Sequence, residues 1–205
     1  VLGFFAADGY ITVNNRGGQF WSIQITDKKL LESIKRTVGS EHKISTKIRF
    51  VNENTLYRLQ IGSIEMCNDL RKLGMRERKT KSLVIPNIPK KYFFDFVRGY
   101  FDGDGNVWFG LLHKNRKIPI LTIMTMFTSC STTFLKQFHK KLLMSGLHGG
   151  SLYQSKRNYS RLQFSAMDSL KLYDFMYNHR CSRLKGLFLK RKKIVFEKYR
   201  RLKNA

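Results

Sequence analysis

Two short stretches of the sequence place an aspartate in the same setting of small and aromatic residues. Residues 1–9 read VLGFFAADG, and residues 97–105 read VRGYFDGDG. In each stretch a glycine is followed four positions later by a small residue, and an Asp-Gly pair comes directly after that residue. A single Asp-Gly pair is the ordinary signal of a tight turn. Two pairs in equivalent positions favour a shared role for Asp8 and Asp104.

Small residues spaced four apart form one strip along a helix, and such strips let two helix backbones approach closely. We therefore predict that the strip of Gly3 and Ala7 faces the strip of Gly99 and Gly103. The two helices would then end side by side and bring both carboxylates to one place. Carboxylates at helix C-termini are unfavourable unless a cation is present, and hard oxygen ligands suit Mg²⁺. A divalent ion between two carboxylates can activate water for phosphodiester cleavage.

The elements that must position these residues also occur twice. Amphipathic helices are predicted to begin after Asp27 and after Ser131, because each polar cap is followed by an apolar stripe and a glycine. Alternation of apolar and polar residues predicts strands in both halves. The predicted strands are residues 10–16, 19–26, 44–51, 55–62, 106–113, 117–128, 149–157 and 159–165.

The order of these elements predicts the fold class and the domain organisation. We predict an α/β (α+β) protein of two pseudo-symmetric αββαββα repeats, each with a four-stranded antiparallel sheet, that meet at a central pair of helices. The first repeat is predicted over residues 1–84 and the second over residues 93–205, with the proline-containing segment 85–92 as the linker. The first helix is too short to be stable alone, and we expect further residues upstream of Val1.

The charge of the chain indicates its class of partner. The 205 residues include 39 Lys and Arg against 14 Asp and Glu, which gives a formal net charge of +25. Such a surplus favours a polyanion as the partner. A basic amphipathic helix over residues 185–203 would also suit a membrane surface, but basic residues also alternate along the predicted strands. No apolar run approaches the roughly 18 residues that span a bilayer. We therefore expect nucleic acid and no membrane.

The remaining composition excludes several other classes. A hydrophobic content of 42% and an aromatic content of 13% exclude a disordered basic tail. The three cysteines are widely spaced and the five histidines are scattered, so neither a disulfide framework nor a zinc site is predicted. Residues 1–30 lack the pattern of a signal peptide. We expect an intracellular protein of unspecified compartment that is not secreted.

The polar faces of the predicted strands carry side chains that read base edges in the DNA major groove. Acidic residues are almost absent from these strands, although a simple solvated face would mix both signs of charge. The residues predicted to contact DNA are Thr12, Asn14, Arg16, Ser22, Gln24, Lys47, Arg49, Arg58, Gln60, Lys156, Arg161 and Gln163.

The two nine-residue motifs resemble the paired motifs of monomeric LAGLIDADG homing endonucleases, and the order of helices and strands matches over essentially the whole chain. The resemblance implies a monomer with no obligate protein partner, whose two sheets clamp double-stranded DNA. It implies cleavage of both strands across the minor groove, which leaves 3′ overhangs. It also implies that Asp8, Asp104 and the backbone carbonyls of Ala7 and Gly103 bind about two or three Mg²⁺ ions, for which Ca²⁺ or Mn²⁺ can substitute.

The resemblance further implies polar groups around the metal ions. A lysine beside the scissile phosphates corresponds to Lys79 in the first repeat and to Lys192 in the second, where Lys185 is a rival. For any lysine in so basic a chain, positioning of the phosphate backbone or a solvated face is the ordinary alternative. Asp27 and Ser131 resemble the polar pair that organises solvent around the metals. N-capping is the structural alternative for both, and the two roles are compatible.

The sequence therefore predicts a site-specific endonuclease of double-stranded DNA. Two alternatives stay open on the same scaffold. One is a maturase that binds intron RNA without needing the carboxylates, and the other is a catalytically inactive DNA-binding regulator. The presence of both Asp8 and Asp104 counts against the second alternative.

Overall fold

A computed structural model describes residues 1–47, 54–113, 115, 117–178 and 186–204. The predicted pair of repeats is confirmed, because the chain forms two four-stranded antiparallel sheets that are each backed by helices. Arg49 and Lys185, named above as candidate site residues, lie outside the described residues. Within the described ranges no helix combines the length and the apolar character that crossing a membrane requires.

The first repeat consists of three helices and four strands. In chain order these are α1 (Leu2–Asp8), β1 (Gly9–Val13), β2 (Gln19–Ile25), α2 (Lys28–Thr37), β3 (Ile44–Lys47), β4 (Leu56–Gly62) and α3 (Ile64–Lys72). The strands are arranged in the sheet in the order β1-β2-β4-β3.

The second repeat has the same arrangement and one further helix. Its elements are α4 (Phe93–Asp104), β5 (Gly105–Leu112), β6 (Ile120–Ser129), α5 (Thr132–Leu143), β7 (Ser151–Gln154), β8 (Ser160–Phe164), α6 (Ala166–Tyr177) and α7 (Lys190–Asn204). The strand order β5-β6-β8-β7 matches that of the first repeat. A short 3₁₀ turn, Lys90–Tyr92, precedes α4.

The inner face of each sheet packs on helices. Trp21 and Ile23 of β2 are buried, as are Ile123 and Phe127 of β6, because alternate residues of a strand point to opposite faces. The helices bury their apolar stripes against these residues in one continuous core. The opposite, outer faces of both sheets therefore carry the side chains that sequence alternation placed toward a partner.

Two strands are shorter than their predicted bounds, one because of a hydrogen-bonded turn and the other because of a glycine. β1 ends at Val13 because the Asn14 side-chain oxygen accepts hydrogen bonds from the Arg16 and Gly18 amides, at 3.0 and 2.7 Å, and so closes a turn. β7 begins only after Gly150, whose φ of +124° is incompatible with a regular strand.

The glycine strips of α1 and α4 face each other as predicted. A Cβ atom at Gly3 would lie 2.0 Å from the Phe96 carbonyl oxygen, and one at Gly99 would lie 2.7 Å from the Phe4 amide nitrogen. A Cβ atom at Gly103 would lie 2.3 Å from the Cβ of Ala7. The absence of these atoms lets the two helix backbones touch, and we call this contact the seam.

Gly99→Ala should destabilise the protein because its methyl group meets backbone rather than a mobile side chain. We expect the free energy of unfolding, measured by urea denaturation, to fall by about 2 kcal/mol. Gly39→Ala is the control, since no atom lies within 4 Å of its Cβ and only its φ of +66° opposes the change. That control should cost about 1 kcal/mol. Equal losses in the two variants would contradict the tight seam.

Candidate functional site

The two aspartates of the repeated motifs end the two seam helices. Asp8 is the last residue of α1, and Asp104 is the last residue of α4. Each is followed by a glycine that starts a strand with extended backbone, since φ is −83° at Gly9 and −91° at Gly105. A glycine that ends a helix typically adopts positive φ, which neither of these two does. Instead, glycine is needed at Gly9 because a Cβ atom there would lie 2.1 Å from the Phe5 ring.

The two carboxylates are close enough to affect each other's ionisation. Burial, together with the negative charge of Asp8, raises the pKa of Asp104 from 3.8 to about 6, while Lys79 and Lys192 oppose the shift. Burial also raises the pKa of Asp8, against the same two lysines. The site thus holds two acids whose negative charges are only partly compensated by the protein itself.

This set of donors fits a divalent cation. The described residues contain no group of three or more His, Cys, Asp or Glu side chains that could hold a metal ion. A cation here would instead take the carboxylates of Asp8 and Asp104 together with backbone carbonyls, of which those of Ala7 and Gly103 are adjacent in the chain. A hard, partly hydrated ion such as Mg²⁺ accepts this sparse oxygen set and completes its shell with water and phosphate oxygens.

Two buried lysines lie beneath the ends of the seam helices. The Lys79 ammonium donates a hydrogen bond to the Gly9 carbonyl at 2.5 Å. The Lys192 ammonium donates to the carbonyls of Phe101 at 2.6 Å, Asp102 at 2.8 Å and Gly105 at 2.6 Å.

Both lysines thus donate hydrogen bonds to carbonyls at the same end of the seam, one lysine from each repeat. Because an ammonium has three donors, Lys192 is saturated by carbonyls and neutralises the C-terminus of α4. Burial lowers the pKa of Lys192 to about 8.

Tyr100 is a neighbour of the site that sequence reasoning missed. Its buried hydroxyl donates to the Thr128 carbonyl at 2.8 Å. Burial raises the pKa of this phenol well above its usual value, and the charge of Asp104 adds to the effect. The equivalent residue in the first motif is Phe4, so the two acids have unequal surroundings. The exchange of Phe for Tyr between the repeats was the available signal.

Asp27 and Ser131 both form N-caps. The Asp27 carboxylate accepts a hydrogen bond from the Leu30 amide at 2.8 Å. The Ser131 hydroxyl accepts from the Phe134 amide at 3.2 Å and donates to the Leu83 carbonyl at 2.6 Å. The capping interpretation therefore accounts for both side chains, and a role in organising solvent stays a prediction.

The outer face of the first sheet carries most of the predicted DNA-contacting residues. Gln24 lies opposite Arg58 in the register, and Lys47 shares this face at the edge strand. Thr12 is exposed on the same face of β1. Gln60 lies opposite Ser22. The prediction that Ser22 contacts DNA is corrected here, because Ser22 is fully buried and cannot present its hydroxyl to a base edge. Asn14 and Arg16 lie in the turn after β1.

In the second sheet the predicted residues lie on β8 and in the turn before it. Gln163 and Arg161 share the outer face, opposite Met126 and Thr128. The Arg161 guanidinium lies 5.0 Å from the centre of the Tyr159 ring, a cation–π distance. Lys156 is exposed in the turn between β7 and β8.

Asp104→Asn should stabilise the protein when no divalent ion is added. A folded-state pKa of about 6, against 3.8 for the free side chain, means that ionising Asp104 disfavours the folded state. This penalty is complete above pH 6 and disappears as the pH falls toward 4. We expect the variant to gain about 1–3 kcal/mol of unfolding free energy at pH 7.5 and nothing at pH 4. Equal unfolding free energies of Asp104→Asn and the unaltered protein at pH 7.5 would contradict the claim that ionised Asp104 destabilises the folded state.

Comparison with known proteins identifies the fold. Residues 1–74 match the family model of the LAGLIDADG-like domain. The homing endonuclease I-LtrWI, solved bound to its target DNA, superposes with a TM-score of 0.64 at 12% identity, over 100% of this chain and 89% of that one. The meganuclease I-SmaMI, bound to uncleavable DNA, gives a TM-score of 0.66 at 15% identity, over 98% and 87% of the two chains.

A curated relative was found as well. Part of the chain is 30% identical over 138 residues to the probable translation initiation factor IF-2 of Thermococcus kodakarensis. The match spans 63% of this chain and 11% of that protein. Residues 1–74 thus resemble a LAGLIDADG-like domain, and the chain has the two-repeat fold of LAGLIDADG homing endonucleases that were solved in complexes with DNA.

Proposed function

We propose that the protein is a site-specific endonuclease that cuts both strands of a long double-stranded DNA site by Mg²⁺-dependent hydrolysis and leaves 3′ overhangs. The observation that carries this proposal is the carboxylate pair at the end of the seam, where one acid comes from each repeat. Two equivalent acids between two equivalent sheets suit a duplex, because its two strands present one scissile phosphate to each half.

The chain's own residues divide the work between binding and chemistry. The outer faces of the two sheets bind the duplex and fix its register through polar and basic side chains such as Arg58 and Arg161. Asp8 and Asp104 hold the metal, while Lys79 and Lys192 keep the helix ends neutral beside the incoming phosphates. When bound, a divalent ion lowers the pKa of water and stabilises the leaving oxygen.

Double-stranded DNA suits these surfaces better than double-stranded RNA does. The major groove of B-DNA, about 12 Å wide, admits a two-stranded β-ribbon, whereas the A-form major groove is too narrow for side chains to read. The match to a translation initiation factor supports no second function, since it spans 11% of that protein. RNA binding by a maturase stays an alternative that experiment can separate.

Selection from a random duplex library tests the proposal directly. The protein is incubated with the library in Mg²⁺, and the cleaved ends are ligated to adaptors and sequenced. We expect one family of long sites with cuts on both strands and short 3′ overhangs. Asp104→Asn serves as the control and should recover no cut ends. The proposed endonuclease function would be overturned if the unaltered protein bound duplexes without cutting them, or if it bound only structured RNA.

A further inference from the structure

The outer faces of the two sheets differ in chemistry although their backbones are equivalent. The register pairs Gly9 with Ile23 in the first sheet and Gly105 with Phe127 in the second, which fixes the equivalent positions. By this correspondence, three positions that carry a polar residue in the first sheet carry a large apolar or aromatic residue in the second. The exchanges are Thr12 for Trp108, Ser22 for Met126, and Ser45 for Tyr153.

These side chains form one layer on the outer face of the second sheet, which we call the methionine–aromatic patch: Trp108, Met124, Met126 and Tyr153. Trp108 lies opposite Met124 in the register, and its ring covers Gly110, where a Cβ atom would lie 2.6 Å from the indole. The Tyr153 hydroxyl lies 3.6 Å from the Met126 sulfur. The patch is therefore organised before any partner arrives.

The patch is solvent-accessible and is bordered by cations. Trp108 is 44% exposed and Tyr153 is 41% exposed, far more than the aromatic residues of the inner face. Arg161 lies beside Tyr153 in the register, and Lys156 and Arg157 follow in the adjoining turn. An apolar surface with a basic border complements an anionic partner that has an apolar interior. The DNA major groove has this character, because phosphates line its edges and thymine methyl groups project into it.

We propose that the second sheet recognises its half of the DNA site through the C5-methyl groups of thymine, which contact Met126, Met124 and Trp108. This inference rests on the proposed function and names the chemistry of one half-site. The first sheet keeps an aromatic residue, Phe20, at the position of Met124, but it reads its half mainly through hydrogen bonds because Thr12 and Ser45 stand where the second sheet has Trp108 and Tyr153. Specificity is thus divided between two kinds of contact.

Deoxyuridine tests this inference, because replacing thymine by uracil removes the methyl group and leaves base pairing intact. A duplex from the library selection is synthesised with deoxyuridine in the first half, in the second half or in both, and its affinity is measured in EDTA. We expect substitution in one half to weaken binding about three- to fourfold for each contacted methyl group. Substitution in the other half should change affinity less than about twofold.

Protein variants assign the sensitive half to the patch. Met126→Ser introduces the residue found at the equivalent first-sheet position, and it should reduce the effect of deoxyuridine in that half by about three- to fourfold, the share of one methyl contact, and leave the other half unaffected. Thr12→Ala, on the first sheet, is the matched control and should leave that sensitivity unchanged. Similar melting temperatures, and equal affinities of Met126→Ser and the unaltered protein for fully substituted duplex, would show that the variant folds and binds.

Three results would overturn the inference. These are equal effects of deoxyuridine in both halves, a selected site without thymine in the half bound by the second sheet, and an unchanged deoxyuridine effect in Met126→Ser. In each case the proposed endonuclease survives, since a duplex site has been recovered. Failure to bind any duplex would overturn the proposed function together with this inference.

Discussion

In Asp104→Asn, cleavage of the selected duplex in Mg²⁺ should fall by about 10³-fold, which corresponds to several kcal/mol of lost transition-state stabilisation. Affinity for the same duplex should change by less than about threefold. The reason is electrostatic. Asparagine keeps the size of the side chain at the end of α4 but removes the negative charge that would hold a divalent ion. The DNA-binding faces of the sheets are built from other residues and stay intact.

Comparison of strand-specific cleavage sharpens this prediction. Asp8→Asn should give the same loss, because the two acids occupy equivalent positions at the seam. Asp69→Asn is the control, since its side chain is 61% exposed on α3 and pairs with Lys72 at the surface. Rates are measured on a duplex labelled separately on each strand. Undiminished cleavage of both strands by Asp104→Asn would remove the assignment of the metal site.

The affinity for duplex DNA should fall by about 10³-fold or more between roughly 50 and 200 mM salt. A net charge of +25 makes counterion release a dominant source of affinity. The measurement is a series of binding titrations at increasing salt, plotted as the logarithm of affinity against the logarithm of salt concentration. Recognition by apolar contacts alone would give a shallow dependence and contradict this prediction.

A single exposed cation gives the matched test. Lys156→Ala should lower the slope of the salt dependence by about one, because it removes one phosphate contact. Lys28→Ala is the control, since this lysine lies on α2, a helix that packs into the core, and pairs with Glu32 on the helix surface. An unchanged slope in Lys156→Ala would show that the turn before β8 does not reach the backbone.

The seam was predictable because its signal is local and occurs twice. The spacing of Gly3 and Ala7, repeated at Gly99 and Gly103, reports a requirement for close packing that other residues cannot meet. Periodicity likewise predicted both sheets, because burial of one face imposes the same alternation on every strand.

Other features depend on tertiary surroundings that no local pattern records. Periodicity assigned Ser22 to the correct face but could not show that its side chain is fully buried there, between Tyr10 and Gln60 in the register. The apolar character of the outer face of β6 was not predicted, because Met124 and Met126 occupy positions at which the alternation along the strand predicts polar residues. Saturation of Lys192 depends on how α7 packs against the end of α4.

Binding of Mn²⁺ to the protein–DNA complex tests most directly whether the two seam acids form a metal centre. The free ion is followed by electron paramagnetic resonance as Mn²⁺ is added to the complex with the selected duplex. We predict saturable binding to the unaltered protein and its loss in the Asp8→Asn/Asp104→Asn double variant, with Asp69→Asn unchanged. Equal Mn²⁺ binding by the double variant and the unaltered protein would contradict the proposed metal centre.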